Sequence, residues 1–232
     1  VDIRRRDRNA GEILHGDTWA RTGDEIAVYD PRTFLEKGRF TIKGHSRGRG
    51  RVANLAGTLA VGDVLANRAF YPKVRITGCT FENSSSRGVL LQSSDMLIEN
   101  CRFSGHIHAG LLIAPDIRVW NEVGPSRDVE IRNCEFARCG LGPMRHNLGA
   151  IVIKASHDAG AADYPAGVHR NVSILDCWFH DNGTRGIFAS AVKGLELRGN
   201  RFERNAPAPD GVADCPDVRL VNCELKEEGE TK

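Results

Sequence analysis

The chain of 232 residues is 41% apolar and 27% charged, enough to bury a sizeable core and within the range of a single all-β domain. Its 32 basic and 30 acidic residues leave a formal net charge of +2, so no overall field draws nucleic acid or a membrane surface. No apolar stretch approaches the roughly 20 residues of a membrane span, and the start carries no signal-peptide pattern.

The first residue is Val rather than Met, which reads as a processed protein or a fragment. "RRRDR" at 4–8 and "RGRGR" at 47–51 are basic runs expected on solvated loops or edges. Between them, "GDEIAVYDPRTFLEKGRFTIKG" at 23–44 alternates apolar and polar residues on both sides of a Pro and Gly turn, the pattern of a β-hairpin. Leu55, Leu59, Val61 and Val64 continue a β-rich segment. Residues 1–68 are therefore expected to form a small antiparallel β-module that is inserted in, or caps, the remainder of the chain.

From residue 69 the chain repeats itself. Val74, Ile76, Cys79 and Phe81 return as Met96, Ile98, Cys101 and Phe103, then as Val129, Ile131, Cys134 and Phe136, and as Val172, Ile174, Cys177 and Phe179. Weaker copies come next at Leu195, Leu197, Asn200 and Phe202, and at Val218, Leu220, Cys223 and Leu225. The basic period is 22 or 23 residues with two insertions, the mark of stacked repeats. Each strong copy holds a second apolar phrase, in which Val89 and Leu91, Leu111 and Ile113, and Ile151 and Ile153 share one face. Gly, Asn, Ser and charged residues between the phrases leave no room for crossover helices. The predicted fold is all-β: a right-handed parallel β-helix of about six coils over 69–232, with rungs about 4.8 Å apart and insertions near 117–127 and 157–170.

In such a coil, equivalent residues lie above one another. Cys79, Cys101, Cys134 and Cys177 should form an internal ladder that Asn200 and Cys223 continue, Asn by bonding the copies above and below and Cys as a small hydrophobe. Parallel Cβ vectors disfavour disulfides, so free thiols are expected. Of the seven cysteines, Cys139 and Cys215 fall off this ladder.

The phrases "GDEIAVYDPRTF", "VGDVLANRAFYPKVRITGCTFENSSSRGVLLQSSDMLIENCRFSG" and "AGLLIAPDIRVWNEVGPSRDVEIRNCEF" together resemble glycoside hydrolase family 110, bacterial β-helix enzymes that remove α-1,3-linked galactose with inversion. The resemblance covers most of the chain. It implies a glycan substrate, no cofactor and a compartment where such sugars occur, secreted or periplasmic. The family's catalytic aspartates lie upstream of the hairpin, one of them in a Gly-Asp-Asp phrase absent from this sequence. The chain is thus expected to carry the later coils and part of the substrate wall.

Within this sequence, Asp116 and Glu122 are the candidate catalytic carboxylates, with Trp120 between them as a sugar-stacking ring. Rung spacing suits the roughly 6.5 to 9.5 Å that inversion requires between carboxyl groups. The alternative is that Asp116 caps a turn and Trp120 covers the coil end. His106 and His108 are expected to project together from an extended segment; a metal is not called for, because further ligands are not evident. Gln92 and Lys154, level with one another two coils apart, could line a groove floor. The insert "HDAGAADYPAGVHR" at 157–170 supplies His157, Asp158, Asp163, Tyr164 and His169 to a binding wall. Two other readings remain: a noncatalytic glycan-binding or structural β-helix, and a polysaccharide lyase or epimerase. Open coil ends could pair two copies.

Overall fold

The computed structural model describes residues 2–5, 10–14, 20–46, 49–53, 59–60, 62–115, 124–142, 148–155, 164–206 and 217–225. The chain divides into two compact units, Val1–Pro72 and Lys73–Lys232.

The first unit is an antiparallel sheet of β1 (Asp2–Arg5), β2 (Ala10–Leu14), β3 (Glu25–Tyr29), β4 (Glu36–Ser46), β5 (Arg49–Ala53) and β6 (Val64–Asn67), in the order β1-β2-β5-β4-β3-β6. The predicted hairpin is β3 paired with β4. Asp30 builds its turn: Oδ1 accepts the N–H groups of Arg32 and Thr33, both at 2.9 Å. Both faces of β3 are buried. Ile26 and Val28 pack with Ala20, Phe40, Ile42 and Leu59, whereas Ala27 and Tyr29 pack with Ala66. Leu55 and Val61 lie outside the described residues.

The second unit is the coil. Each turn contributes one strand to each of three parallel sheets. Sheet I stacks β7 (Val74–Thr77), β10 (Met96–Glu99), β13 (Arg127–Arg132), β16 (His169–Leu175), β19 (Val192–Arg198) and β22 (Glu224–Leu225). Sheet II stacks β8 (Thr80–Glu82), β11 (Arg102–His106), β14 (Glu135–Cys139), β17 (Trp178–His180) and β20 (Arg201–Glu203). Sheet III stacks β9 (Val89–Leu91), β12 (Leu111–Ile113), β15 (Ile151–Ile153), β18 (Ile187–Ser190) and β21 (Val218–Val221). The described residues thus form five full coils and the start of a sixth.

Alternation decides which side chains enter the core. Val129, Ile131, Phe136, Ile151 and Ile153 are wholly buried, as are their counterparts Val172, Ile174, Phe179 and Ile187 one coil on. Phe81, Phe103, Phe136, Phe179 and Phe202 form a continuous stack, with ring centroids 4.8 to 5.1 Å apart and planes within 12° of parallel. Rung spacing, rather than any preference of free rings for parallel faces, sets this geometry.

The corner between sheets I and II repeats one device. A left-handed residue (Gly78, Asn100, Asn133, Asp176, Gly199) is followed by the inward residue Cys79, Cys101, Cys134, Cys177 or Asn200. Gly, Asn and Asp stand there because they tolerate positive φ. The thiols of Cys101, Cys134 and Cys177 lie 3.2 to 3.3 Å from the carbonyls of Glu99, Arg132 and Leu175 in their own coils and 3.6 to 3.8 Å from those of Ile76, Ile98 and Ile131 in the coil below. Asn200 bonds the coil below with better geometry: Nδ2 donates to Ile174 O at 2.8 Å and Oδ1 accepts the Cys177 N–H at 3.0 Å. Asn200 therefore bonds the backbone below rather than neighbouring ladder side chains. The described cysteines are free thiols.

Cys223 does not continue this ladder. Val218–Val221 pairs with β18 in sheet III, and the sixth coil begins only at Glu224, opposite Lys193. The fifth coil has a long connection between β20 and β21, and the apolar alternation of Val218 and Leu220 suits any inward strand. Cys223 instead occupies the corner between sheets III and I, where its thiol donates to Ala189 O at 3.4 Å.

Candidate functional site

The two segments that carry most of the candidate residues have their described stems at one end of sheet III. Leu91, Ile113 and Ile153 are in register on adjacent coils, so the segments after β12 and β15 depart from the same end of the same sheet. Asp116, Trp120 and Glu122 belong to the first segment, and His157, Asp158 and Asp163 to the second; all six lie outside the described residues. Their stems are joined directly, the Lys154 N–H donating to Ile113 O at 2.9 Å.

Gln92, Ala114, Lys154 and Ser190 form the column that ends sheet III, one residue per coil. Gln92 is half-buried and its Nε2 donates to Ala114 O at 3.0 Å, so this amide ties two coils together. Lys154 is buried, and its carbonyl accepts a bond from His169 Nε2 at 2.7 Å. Ser190 Oγ donates to Ile153 O at 3.3 Å. On the outward face of the three middle strands of sheet III, Leu112, Val152 and Phe188 are buried and pack together with Ala109 and Ala114. Ser94, which the sequence period matches to Asp116, is buried, and its Oγ accepts the Arg127 N–H at 3.1 Å.

The histidines divide. His106 is 1% exposed and points inward: Nδ1 accepts the Ser84 N–H at 3.3 Å and Nε2 faces Phe81 O at 3.1 Å. A carbonyl only accepts, so Nε2 carries the proton and both nitrogens are committed to the coil below. Burial holds its pKa below the usual imidazole range. His106 therefore does not project outward beside His108, which is half-buried in the following bend. Among the described residues, no cluster of three or more His, Cys, Asp or Glu is placed to hold a metal.

His106 belongs to a second ladder that the repeat phrases conceal. Five residues after each first-ladder position come Ser84, His106, Cys139, Asn182 and Asn205. Each again follows a residue at positive φ: Asn83, Gly105, Arg138, Asp181 and Arg204. His106, Cys139, Asn182 and Asn205 bond in turn to the carbonyls of the stacked Phe81, Phe103, Phe136 and Phe179. Cys139 thus has a ladder of its own, and burial pushes its thiol up to about 12.

His169 is likewise not a wall residue. It opens β16, fully buried, with Nδ1 accepting the Ser126 N–H at 3.1 Å and Nε2 donating to Lys154 O. Desolvation lowers its pKa to about 4. Tyr164 is buried as well, and its carbonyl accepts a bond from Asn222 Nδ2 at 2.8 Å.

The structure adds one exposed group to these candidates. In sheet II the residue between the ladder position and the Phe points outward, in the column Thr80, Arg102, Glu135, Trp178 and Arg201. Trp178 is 36% exposed there. The signal was present in "DCWF", since alternation alone sends a residue between Cys177 and Phe179 to the surface.

Residues 64–225 match the family described as right handed beta helix region, a span that contains the three parallel sheets from Val74 to Leu225. The chain belongs to the right-handed β-helix family. It is 38% identical over 186 residues to alpha-1,3-galactosidase A of Peterkaempfera griseoplana, an alignment covering 79% of this chain and 23% of that protein. Alpha-1,3-galactosidase A of Bacteroides thetaiotaomicron is 30% identical over 212 residues, 87% of this chain and 35% of the relative. Alpha-1,3-galactosidase B of the same organism is 30% identical over 209 residues, 84% and 32% of the two. These likenesses bear out the resemblance to glycoside hydrolase family 110. The chain spans between a fifth and two fifths of the length of these relatives. Among the described residues no helix is long and apolar enough to cross a membrane.

Proposed function

We propose that this β-helix works in a glycoside hydrolase that removes terminal α-1,3-linked galactose with inversion, as part of the wall and floor of the sugar site. The observation that carries this reading is sequence likeness to α-1,3-galactosidases along most of the chain, module and coils together. The register of sheet III supports the place: two inserts rich in Asp, His and Trp leave adjacent coils from one sheet end. Inversion needs a general acid and a general base about 6.5 to 9.5 Å apart, with a water between the base and the anomeric carbon. Asp116 and Glu122 are the proposed carboxylates, Trp120 the stacking ring, and His157, Asp158 and His108 the proposed hydroxyl partners. Gln92 and Lys154 act beneath them by fixing the coils from which the inserts depart.

The test is galactose release from α-1,3-galactobiose, with the α-1,4 and α-1,6 isomers as controls, by this chain and by a version extended upstream. Release from the α-1,3 isomer, with β-galactose as the first anomer seen by NMR, is expected of the extended protein. Failure of both proteins to release galactose overturns the reading.

A further inference from the structure

The outer face of sheet II carries an organised aromatic site. The Trp178 indole is stacked by His180, with centroids 3.9 Å apart and planes 28° from parallel. His180 is itself held at both nitrogens: Nε2 lies 3.0 Å from Glu135 Oε1, and Nδ1 lies 2.7 Å from Asp181 Oδ2. Asp181 accepts two bonds from Arg204, at 2.6 and 2.9 Å, which hold its carboxyl well below the usual range. The chain Arg204–Asp181–His180–Glu135 therefore fixes the platform on which Trp178 rests, so little side-chain entropy is left to lose when a ligand arrives.

The rim of this platform can bond hydroxyls. The Glu135 side chain is partly exposed, and Arg201, whose side chain is 68% exposed, sets its guanidinium 5.4 Å from the indole centroid. Arg102 reaches Glu135 at 3.4 Å from the coil below. Cations and carboxylates are paired here, Arg102 with Glu135 and Arg201 with Glu203. A strongly charged ligand of either sign would meet repulsion, whereas a neutral polyol finds donors and acceptors together. An indole face at such a rim takes the C–H face of a pyranose, and galactose, with its axial 4-hydroxyl on the opposite side, offers an unbroken one.

We propose that Trp178, with Glu135 and Arg201, forms a surface subsite on sheet II for the galactopyranose end of a neutral oligosaccharide. The choice of galactose rests on the function proposed above; the stacking geometry does not. Arg201 swings from the indole to the sugar, and His180 remains as the fixed backing of the ring.

The test is binding of α-1,3-galactobiose to this chain, followed by saturation-transfer NMR and by titration, in wild type, Trp178→Ala, Trp178→Phe and Glu135→Gln. Trp178→Ala should weaken binding about tenfold and Trp178→Phe by about threefold or less, since a smaller ring keeps part of the stacking. Far-ultraviolet circular dichroism matching wild type shows that each outward substitution leaves the coil intact. Affinity unchanged in Trp178→Ala, or no saturable binding by wild type, overturns the subsite. Galactose release by the extended protein is read from product rather than affinity, so the subsite can fail while the glycosidase reading stands, and the reverse.

Discussion

Asn182 clasps the coil beneath it at two points. Its Oδ1 accepts the Cys139 N–H at 2.8 Å, and its Nδ2 donates to Phe136 O at 3.1 Å. Asn200 makes the equivalent pair of bonds at the other corner of sheet II, to Cys177 N and Ile174 O. Two inward polar columns thus flank the phenylalanine stack. Each closes backbone groups that a tight corner would otherwise leave buried without partners.

Because Cys and Asn occupy equivalent ladder positions, Cys134→Asn should be tolerated, changing stability by less than about 1.5 kcal/mol. Cys134→Leu, which adds volume and removes the thiol donor shared by Arg132 O and Ile98 O, should cost about 1–3 kcal/mol. Urea unfolding of both variants measures the difference, and equal losses would show that volume alone matters there.

Phe136 sits mid-stack, wholly buried between Phe103 and Phe179. Phe136→Ala should cost about 3–5 kcal/mol through the cavity it leaves. Phe202→Ala, at a half-buried ring with one stacked neighbour, should cost clearly less. Thermal melts of the two variants compare them directly.

His169 links stability to pH. Its folded pKa of about 4 lies below the ordinary 6.5, so the folded state prefers the neutral ring. Stability is fully present above pH 6.5. As pH falls from 6.5 towards 4, the unfolded chain takes up a proton that the folded chain refuses, and about 3 kcal/mol is lost. Its ring faces the Ser126 N–H and the Lys154 carbonyl, neither of which titrates. His169→Gln, which keeps a donor and an acceptor, should flatten that segment of the pH–stability curve. His106 contributes in the same direction.

Gly199 turns the corner before Asn200 at φ 68°, and a Cβ there would collide with the Asp176 carboxylate. Gly199→Ala should therefore destabilise by at least about 1–2 kcal/mol. Asn133→Gly at the equivalent corner should change little, because glycine accepts the same φ. Chemical denaturation of the two variants checks the contrast.

The coil was legible where chemistry repeats without change. Cys-x-Phe recurs from Cys79 to Cys177, and alternation around Ile151 and Ile153 fixes which face is inside. The second ladder was hidden because its occupants change from Ser84 to His106, Cys139 and Asn182, all able to bond the same carbonyl yet sharing no letter. Its constant offset from the first ladder was the available signal. Cys223 misled because a Val-x-Leu pair before Cys fits either of two strands, and only the long connection after Glu203 decides between them. His106 and His169 read as surface groups since a lone imidazole gives no sign of burial; their partners are backbone atoms contributed from 22 and 25, and from 15 and 43, residues away. Trp178 was masked by its neighbours Cys177 and Phe179, whose repetition dominates the phrase.

Carboxylates on the inserts leaving sheet III are proposed to serve the cleavage of α-1,3-galactosides. The most direct measurement of that role is kcat/KM for α-1,3-galactobiose in the upstream-extended protein carrying Asp116→Ala or Glu122→Ala. A loss of about a hundredfold or more in either variant, with unfolding midpoints unchanged, is the predicted result. Wild-type rates in both variants would contradict it.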